Sequence, residues 1–166
     1  MSASVVKRKI VWEARRLGAD LIGFAPVSRW RAYNELKSEY WPDTIWNKAQ
    51  TVIVLGVPML LPIVESTPTT NHTVLYDTTN TLLDQVGYGL AVFLNNVGHA
   101  SIFMPRDGYG SLEIPLKKMP ACFSHVYAGK YAGLGHIGYR HNLLNPKYGP
   151  RARYVSVLSS VAISGD

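Results

Sequence analysis

The sequence predicts an α/β domain in which a mixed central sheet of four to five strands carries helices on both faces. Three observations predict it. Thr51 to Val57 (TVIVLGV) is a continuous apolar run rich in β-branched residues and closed by Pro58, the pattern of a central strand covered on both sides. Tyr154 to Ile163 is a second run of the same kind. Between them, Leu75, Thr79, Leu82, Leu83, Val86, Leu90, Phe93 and Leu94 recur at helical spacing through the longest periodic segment, Asn71 to Gly98. At 166 residues and 47% hydrophobic, the chain is long enough for one domain with a substantial core.

Each element follows in order. Val6, Ile10, Ala14 and Leu17 repeat every three to four residues among lysines and arginines, which makes residues 4 to 18 an amphipathic helix with Gly18 as its natural terminator. Asp20 to Val27 reads as a buried strand ending at a proline turn. Ser28 is placed to cap a helix over 29 to 39, unless Trp30, Tyr33 and Tyr40 serve as an apolar cover for the sheet. Leu60 to Asn71, with two prolines and several hydroxyl residues, reads as an exposed loop long enough to act as a lid. Gly87 and Gly89 inside the long helix point to close packing. Gly98 ends it, Ala100 to Met104 forms another strand, and Pro105 to Leu116 is loop. Residues after Pro120 return to helix as far as Tyr131.

The candidate functional stretch is Tyr131 to Leu158. Gly133, Gly135 and Gly138 match G-x-G-x-x-G, but no strand precedes them, Pro146 cuts short any helix after them, and no carboxylate lies between Glu113 and Asp166. A dinucleotide fold requires all three features, so that reading is set aside. What remains is a backbone free to turn or to approach a bulky ligand. Charge adds to this. Residues 1 to 113 balance ten basic against ten acidic side chains, whereas Lys117, Lys118, Lys130, Arg140, Lys147, Arg151 and Arg153 follow with no acid before Asp166. A field of one sign beside a glycine turn points to an anionic ligand, or to a partner domain that supplies the opposite charge.

Cysteine and histidine chemistry narrows the classes. The single cysteine, Cys122, excludes an internal disulfide, and its apolar neighbours favour a buried thiol over a nucleophile. His125, His136 and His141 are spaced by 11 and 5 residues, which does not put two imidazoles on one helix face as a zinc site needs. No run is apolar for the ~20 residues that cross a bilayer, and no signal peptide is visible, so a cytoplasmic location is expected.

Taken together, AGLGHIG (Ala132 to Gly138), NLLNPKYGPRAR (Asn142 to Arg153) and the β-branched run behind them resemble the epoxyqueuosine reductase-like proteins, relatives of the corrinoid-dependent reductive dehalogenases. GADLIGFAPVSRW (Gly18 to Trp30), TVIVLGVPM (Thr51 to Met59) and the Ser124-His125 pair extend the resemblance over nearly all of the chain. The resemblance implies a nitroreductase-like, cobalamin-binding α/β domain over residues 1 to 166, and the ferredoxin-like iron-sulfur domain that usually follows it in the family is expected to be absent from these residues. One cysteine cannot furnish the four thiolates of a cluster, so no iron-sulfur cluster is expected in this chain. Four positions depart from the family pattern: His136 replaces its tryptophan, Tyr139-Arg140 replace Lys-Asn, and Met119 stands where its tRNA-modifying members carry a catalytic aspartate. That last departure argues against tRNA as substrate.

From the resemblance and the charge pattern together, the expected cofactor-binding residues are Ser124, His125, Gly133, Leu134, Gly135, His136, Ile137, Gly138, Arg140, Asn142, Lys147, Arg151 and Arg153. The glycine turn admits the nucleotide tail and the cations meet its phosphate, because N–H bonds to anionic oxygen are charge-assisted. Tyr109, Tyr127 and Tyr139 are the candidate proton donors. Electrons are expected from an iron-sulfur domain or protein, without which the chain is inactive. Two alternatives stay open: a flavin-binding oxidoreductase taking FMN at the same phosphate site, and a non-enzymatic basic module binding nucleic acid or a partner domain.

Overall fold

The computed structural model describes residues 3–106 and 123–165. Helix α1 (Ala3–Leu17) leads into strand β1 (Leu21–Pro26) and the short helices α2 (Ser28–Tyr33) and α3 (Pro42–Ile45). Strand β2 (Thr51–Pro58), helix α4 (Leu61–Glu65), the long helix α5 (Thr70–Asn96) and strand β3 (Ser101–Met104) follow. Helix α6 (His125–Tyr131), the two-residue strands β4 (His136–Ile137) and β5 (Leu143–Leu144), and strand β6 (Ala152–Ser159) complete the described chain.

The expected α/β architecture is present: of the four to five strands expected, four form the sheet, in order β1-β2-β6-β3, with helices on both faces. The sheet is antiparallel at every pairing rather than mixed. The difference arises because α5 leads into β3 at the sheet edge, and β3 then pairs antiparallel with β6.

Strand alternation sorts the core into two layers. Ile53, Leu55 and Val57 of β2, with Val155 and Val157 of β6, meet Ile10 and Ala14 of α1 and Leu83, Val86, Leu90 and Leu94 of α5. Val52 and Val54, with Ala152, Tyr154 and Leu158, meet Trp30, Phe123, Ala128 and Tyr131 on the other side. Continuous hydrophobicity in β2 therefore does mark a central strand, buried from Thr51 to Val57.

Several boundaries differ from the sequence expectation. Ser28 is the first residue of α2 and gives no capping bond, and the helix stops at Tyr33 because Asn34 turns left-handed at φ 50. Trp30 instead is core, and Tyr33 stacks on Tyr131 with ring centroids 4.9 Å apart, so the apolar cover is what forms. The loop expected over Leu60 to Asn71 contains α4 and gives way to α5 at Thr70, whose capping neighbour Thr69 accepts a bond from the His72 amide at 3.3 Å. The last strand starts and ends earlier, at Ala152 and Ser159. Residues 160–165 run on as an irregular tail pinned by Thr51, whose hydroxyl donates to Val161 O at 2.7 Å and accepts from the Ile163 amide at 3.0 Å. Among the described residues no helix is long and apolar enough to cross a membrane.

Candidate functional site

A cleft of about 500 Å³ opens on the sheet face that carries α6. Its floor is the start of β6, Ala152 to Tyr154, with Met59 beside it. The start of α6 forms one wall, and Asn142 and Leu143 of the β4-β5 hairpin form another. Of the residues expected from sequence, Ser124, His125, Asn142 and Arg153 come together here. They approach because α6 packs on β6 and the hairpin packs on α6.

Ser124 caps α6, its hydroxyl accepting from the Tyr127 amide at 3.4 Å. His125 is held at both ring nitrogens. Nε2 lies 3.0 Å from the Pro105 carbonyl, which can only accept, so Nε2 carries the proton. Nδ1 then accepts from the buried Ser156 hydroxyl at 2.9 Å. With both nitrogens engaged, His125 anchors α6 to β6 and has no lone pair to spare for a metal. Among the described residues no group of three His, Cys, Asp or Glu side chains is disposed to hold a metal ion.

The glycine bend lies apart from the cleft. Gly133 turns at φ +73, which favours glycine. At Gly135 a Cβ would stand 2.2 Å from the Leu144 carbonyl oxygen, and at Gly138 it would stand 2.9 Å from Leu144 Cδ1. The bend is therefore packed against β5 on the side where a Cβ would point, so Gly135 and Gly138 have a packing reason of their own, and none of the bend borders the cleft. Leu134 and Ile137 are half-buried against the α6 core layer, and His136 is exposed and pairs with Leu144. Asn145 fixes the hairpin base. Its Nδ2 donates to Leu134 O at 2.6 Å, and its Oδ1 accepts from the amides of Lys147 and Tyr148 at 2.9 and 3.2 Å.

The cations divide in the same way. Lys147 meets Asp20 at 3.3 Å, and Tyr148 donates to the same carboxylate at 2.5 Å. Tyr148, then Lys147 and Arg15, hold the Asp20 carboxyl below its ordinary range. Lys130 meets Glu35. Acids of the neutral first part of the chain thus fold against the acid-free segment and neutralise part of its surplus. Arg151 donates to Met59 O at 2.8 Å and stacks on Tyr148, while Arg140 sits in an exposed turn. Arg153 borders the cleft with its guanidinium 4.3 Å over the Tyr76 ring.

Tyr139 is fully exposed and Tyr127 packs on Tyr131, so neither borders the cleft, and Tyr109 lies outside the described residues. Sequence reasoning missed Tyr40, Met59, Arg106 and Tyr154, which do border it. For Tyr154 a signal existed: strand alternation puts it on the same face as Ala152 and Ser156. Its hydroxyl is buried with no hydrogen-bond partner among the described residues, and burial pushes its pKa up to about 12. Arg106 is held by Asp84 at 3.0 Å.

No protein-family model and no curated protein matches the sequence. Solved structures do match. An epoxyqueuosine reductase crystallised with an epoxyqueuosine-modified tRNA-Tyr stem loop aligns over 99% of this chain and 48% of its own, at TM-score 0.61 and 16% identity. The epoxyqueuosine reductase of Streptococcus thermophilus aligns over 97% of this chain and 47% of its own, at TM-score 0.60 and 18% identity. A reductive dehalogenase, whose structure is described as suggesting a mechanism for B12-dependent dehalogenation, aligns over 95% of this chain and 21% of its own, at TM-score 0.69 and 17% identity.

The chain has the fold of the epoxyqueuosine reductases and reductive dehalogenases. The resemblance read from AGLGHIG and NLLNPKYGPRAR is thus borne out by structure at identities too low for sequence comparison to register. This chain spans about half the length of those epoxyqueuosine reductases and about a fifth of the dehalogenase. Within this fold, the cleft lies between α6, the β4-β5 hairpin and the start of β6.

Proposed function

We propose that this chain is a corrinoid-binding domain of an iron-sulfur and corrinoid reductase, and that it is inactive without a separate source of low-potential electrons. The observation that carries the reading is the match along 95% of the chain to a B12-dependent dehalogenase, with a cleft bordered by four of the residues expected to hold the cofactor. The residues fit such a ligand in part. Leu143, Met59 and Phe123 offer apolar surface to a flat macrocycle, and Ser124 and Asn142 offer hydrogen bonds to its amide rim. Arg153 offers charge to a phosphate, while Arg106, which also borders the cleft, is already held by Asp84. A 500 Å³ cleft suits a small ligand whole, and a corrinoid is larger, so this chain forms one wall of the site.

When bound, the corrinoid supplies a cobalt centre for reduction. The chain's own residues bind and orient it. His125 keeps α6 and Ser124 in place, and the bend from Gly133 to Gly138 holds the hairpin that presents Asn142. Arg151 ties the Met59 carbonyl to the strand that carries Arg153, and Arg140 offers further charge from its turn. The electron source is a ferredoxin-like iron-sulfur domain or protein. A tRNA substrate would follow the stem-loop complex of the matched reductase.

Incubation of the purified chain with hydroxocobalamin and, separately, with FMN tests the reading. A saturable change in the visible spectrum with the corrinoid alone is the expected result. A change with FMN alone makes the site a flavin site, and salt-sensitive tRNA binding with neither chromophore makes the chain a basic binding module.

A further inference from the structure

The outer face of α1 carries an exposed tryptophan among cations. Val6, Ile10 and Ala14 of this helix are buried against the sheet and α5, which leaves Arg8, Trp12 and Arg15 on the opposite side, spaced four and three residues apart. Trp12 is 64% exposed. The other three tryptophans are engaged: Trp30 is 1% exposed, Trp41 donates its Nε1–H to Leu36 O at 2.9 Å, and Trp46 packs on the α6 core layer. Trp12 has neither a ring partner nor a hydrogen bond among the described residues. A shallow groove beside it has Val11 and Trp12 as its floor and Lys7, Arg8 and Arg15 as its rim.

Charge selects the occupant. The helix carries Lys7, Arg8, Lys9, Arg15 and Arg16 against one acid of its own, Glu13, which is buried and bound to Arg16 at 2.6 and 2.9 Å, while Arg15 also meets Asp20 at 3.4 Å. An apolar floor inside a cationic rim is the anatomy of a protein interface, and tryptophan and arginine are the residues on which such interfaces concentrate their energy. A nucleic acid would place its phosphates over cations, and here carbon forms the floor. A membrane surface would need several exposed apolar side chains on the face, where Trp12 is the one large example.

We propose that this face docks an acidic amphipathic segment of a partner protein, its apolar side against Trp12 and its carboxylates toward Arg8 and Arg15. The inference is independent of the corrinoid reading, because α1 and the cleft lie on opposite faces of the sheet.

The test titrates the full chain with a 16-residue model helix bearing leucine on one face and glutamate elsewhere. Controls are its lysine counterpart, a scrambled glutamate peptide, oligouridylate and phosphatidylglycerol vesicles. The readout is the blue shift of the Trp12 emission, isolated by subtracting the W12A spectrum, with calorimetry alongside. Binding of the acidic amphipathic peptide alone is expected, weakened roughly 30-fold by Trp12→Ala, as at an interface hot spot. Arg8→Gln is expected to weaken it several-fold and flatten its salt dependence. Circular dichroism confirms that these surface variants fold. No binding, binding unchanged in W12A, equal binding of the scrambled peptide, or preference for the oligonucleotide or the vesicles overturns the proposal.

Discussion

A Cβ at Gly135 would stand 2.2 Å from a backbone oxygen, whereas at Gly129 it would stand 2.4 Å from the tip of the Leu143 side chain, which can rotate away. Gly135→Ala is therefore expected to cost on the order of 3 kcal/mol, as overpacking does at its severe end, and Gly129→Ala clearly less. Urea denaturation of the two variants checks the order. Tyr154 gives a second residue-level prediction. A phenol whose pKa folding raises to about 12 contributes fully below its ordinary value near 10, and that contribution is lost as pH climbs toward 12. Tyr154→Phe removes a buried hydroxyl without a partner, so it is expected to leave stability unchanged or raise it by about 1 kcal/mol, and to flatten the decline between pH 10 and 12. Asp20 runs the opposite way. Its depressed pKa makes its contribution present above the ordinary carboxylate value and lost as pH falls below it. Asp20→Asn is expected to lower the thermal midpoint at neutral pH and to soften acid unfolding.

Thr51 belongs to β2, but its hydroxyl serves the C-terminal tail through Val161 and Ile163. Thr51→Val keeps the shape and leaves two buried backbone groups without partners, at a cost of about 2 to 4 kcal/mol. Faster hydrogen exchange at the Ile163 amide is its expected signature. Elements of this kind show what the sequence made legible. Runs of one period, α1, β2 and α5, could be read directly because each buries a regular face. Boundaries set by a single backbone torsion could not, as at Asn34, where α2 stops with no glycine or proline to mark it. The tail after Ser159 reads as strand because Val161 and Ile163 continue the β-branched run, yet a threonine hydroxyl holds it in place of a neighbouring ladder.

For the whole molecule, the acid-free segment looked like one cationic surface when read along the chain. Folded, Lys147 and Lys130 lie against Asp20 and Glu35 from distant parts of the sequence, and Arg153 borders the cleft with its guanidinium over the Tyr76 ring. The site was half legible for the same reason. Ser124, His125, Asn142 and Arg153 stand in recognisable motifs, whereas Tyr40, Met59 and Arg106 come from three separate connections that only the fold joins. The glycine motif was visible and its role was not, since spacing shows where a backbone can turn without showing that Leu144 fills the space beside it. The cleft, then, is the place to test the account: a titration of the chain with hydroxocobalamin followed in the visible spectrum, for the native protein and for Arg153→Gln. The account predicts one saturable site for the native chain and an affinity lowered roughly ten-fold or more by the substitution, as for a lost charge-assisted bond. No spectral change in the native chain, or an affinity that Arg153→Gln leaves untouched, contradicts it.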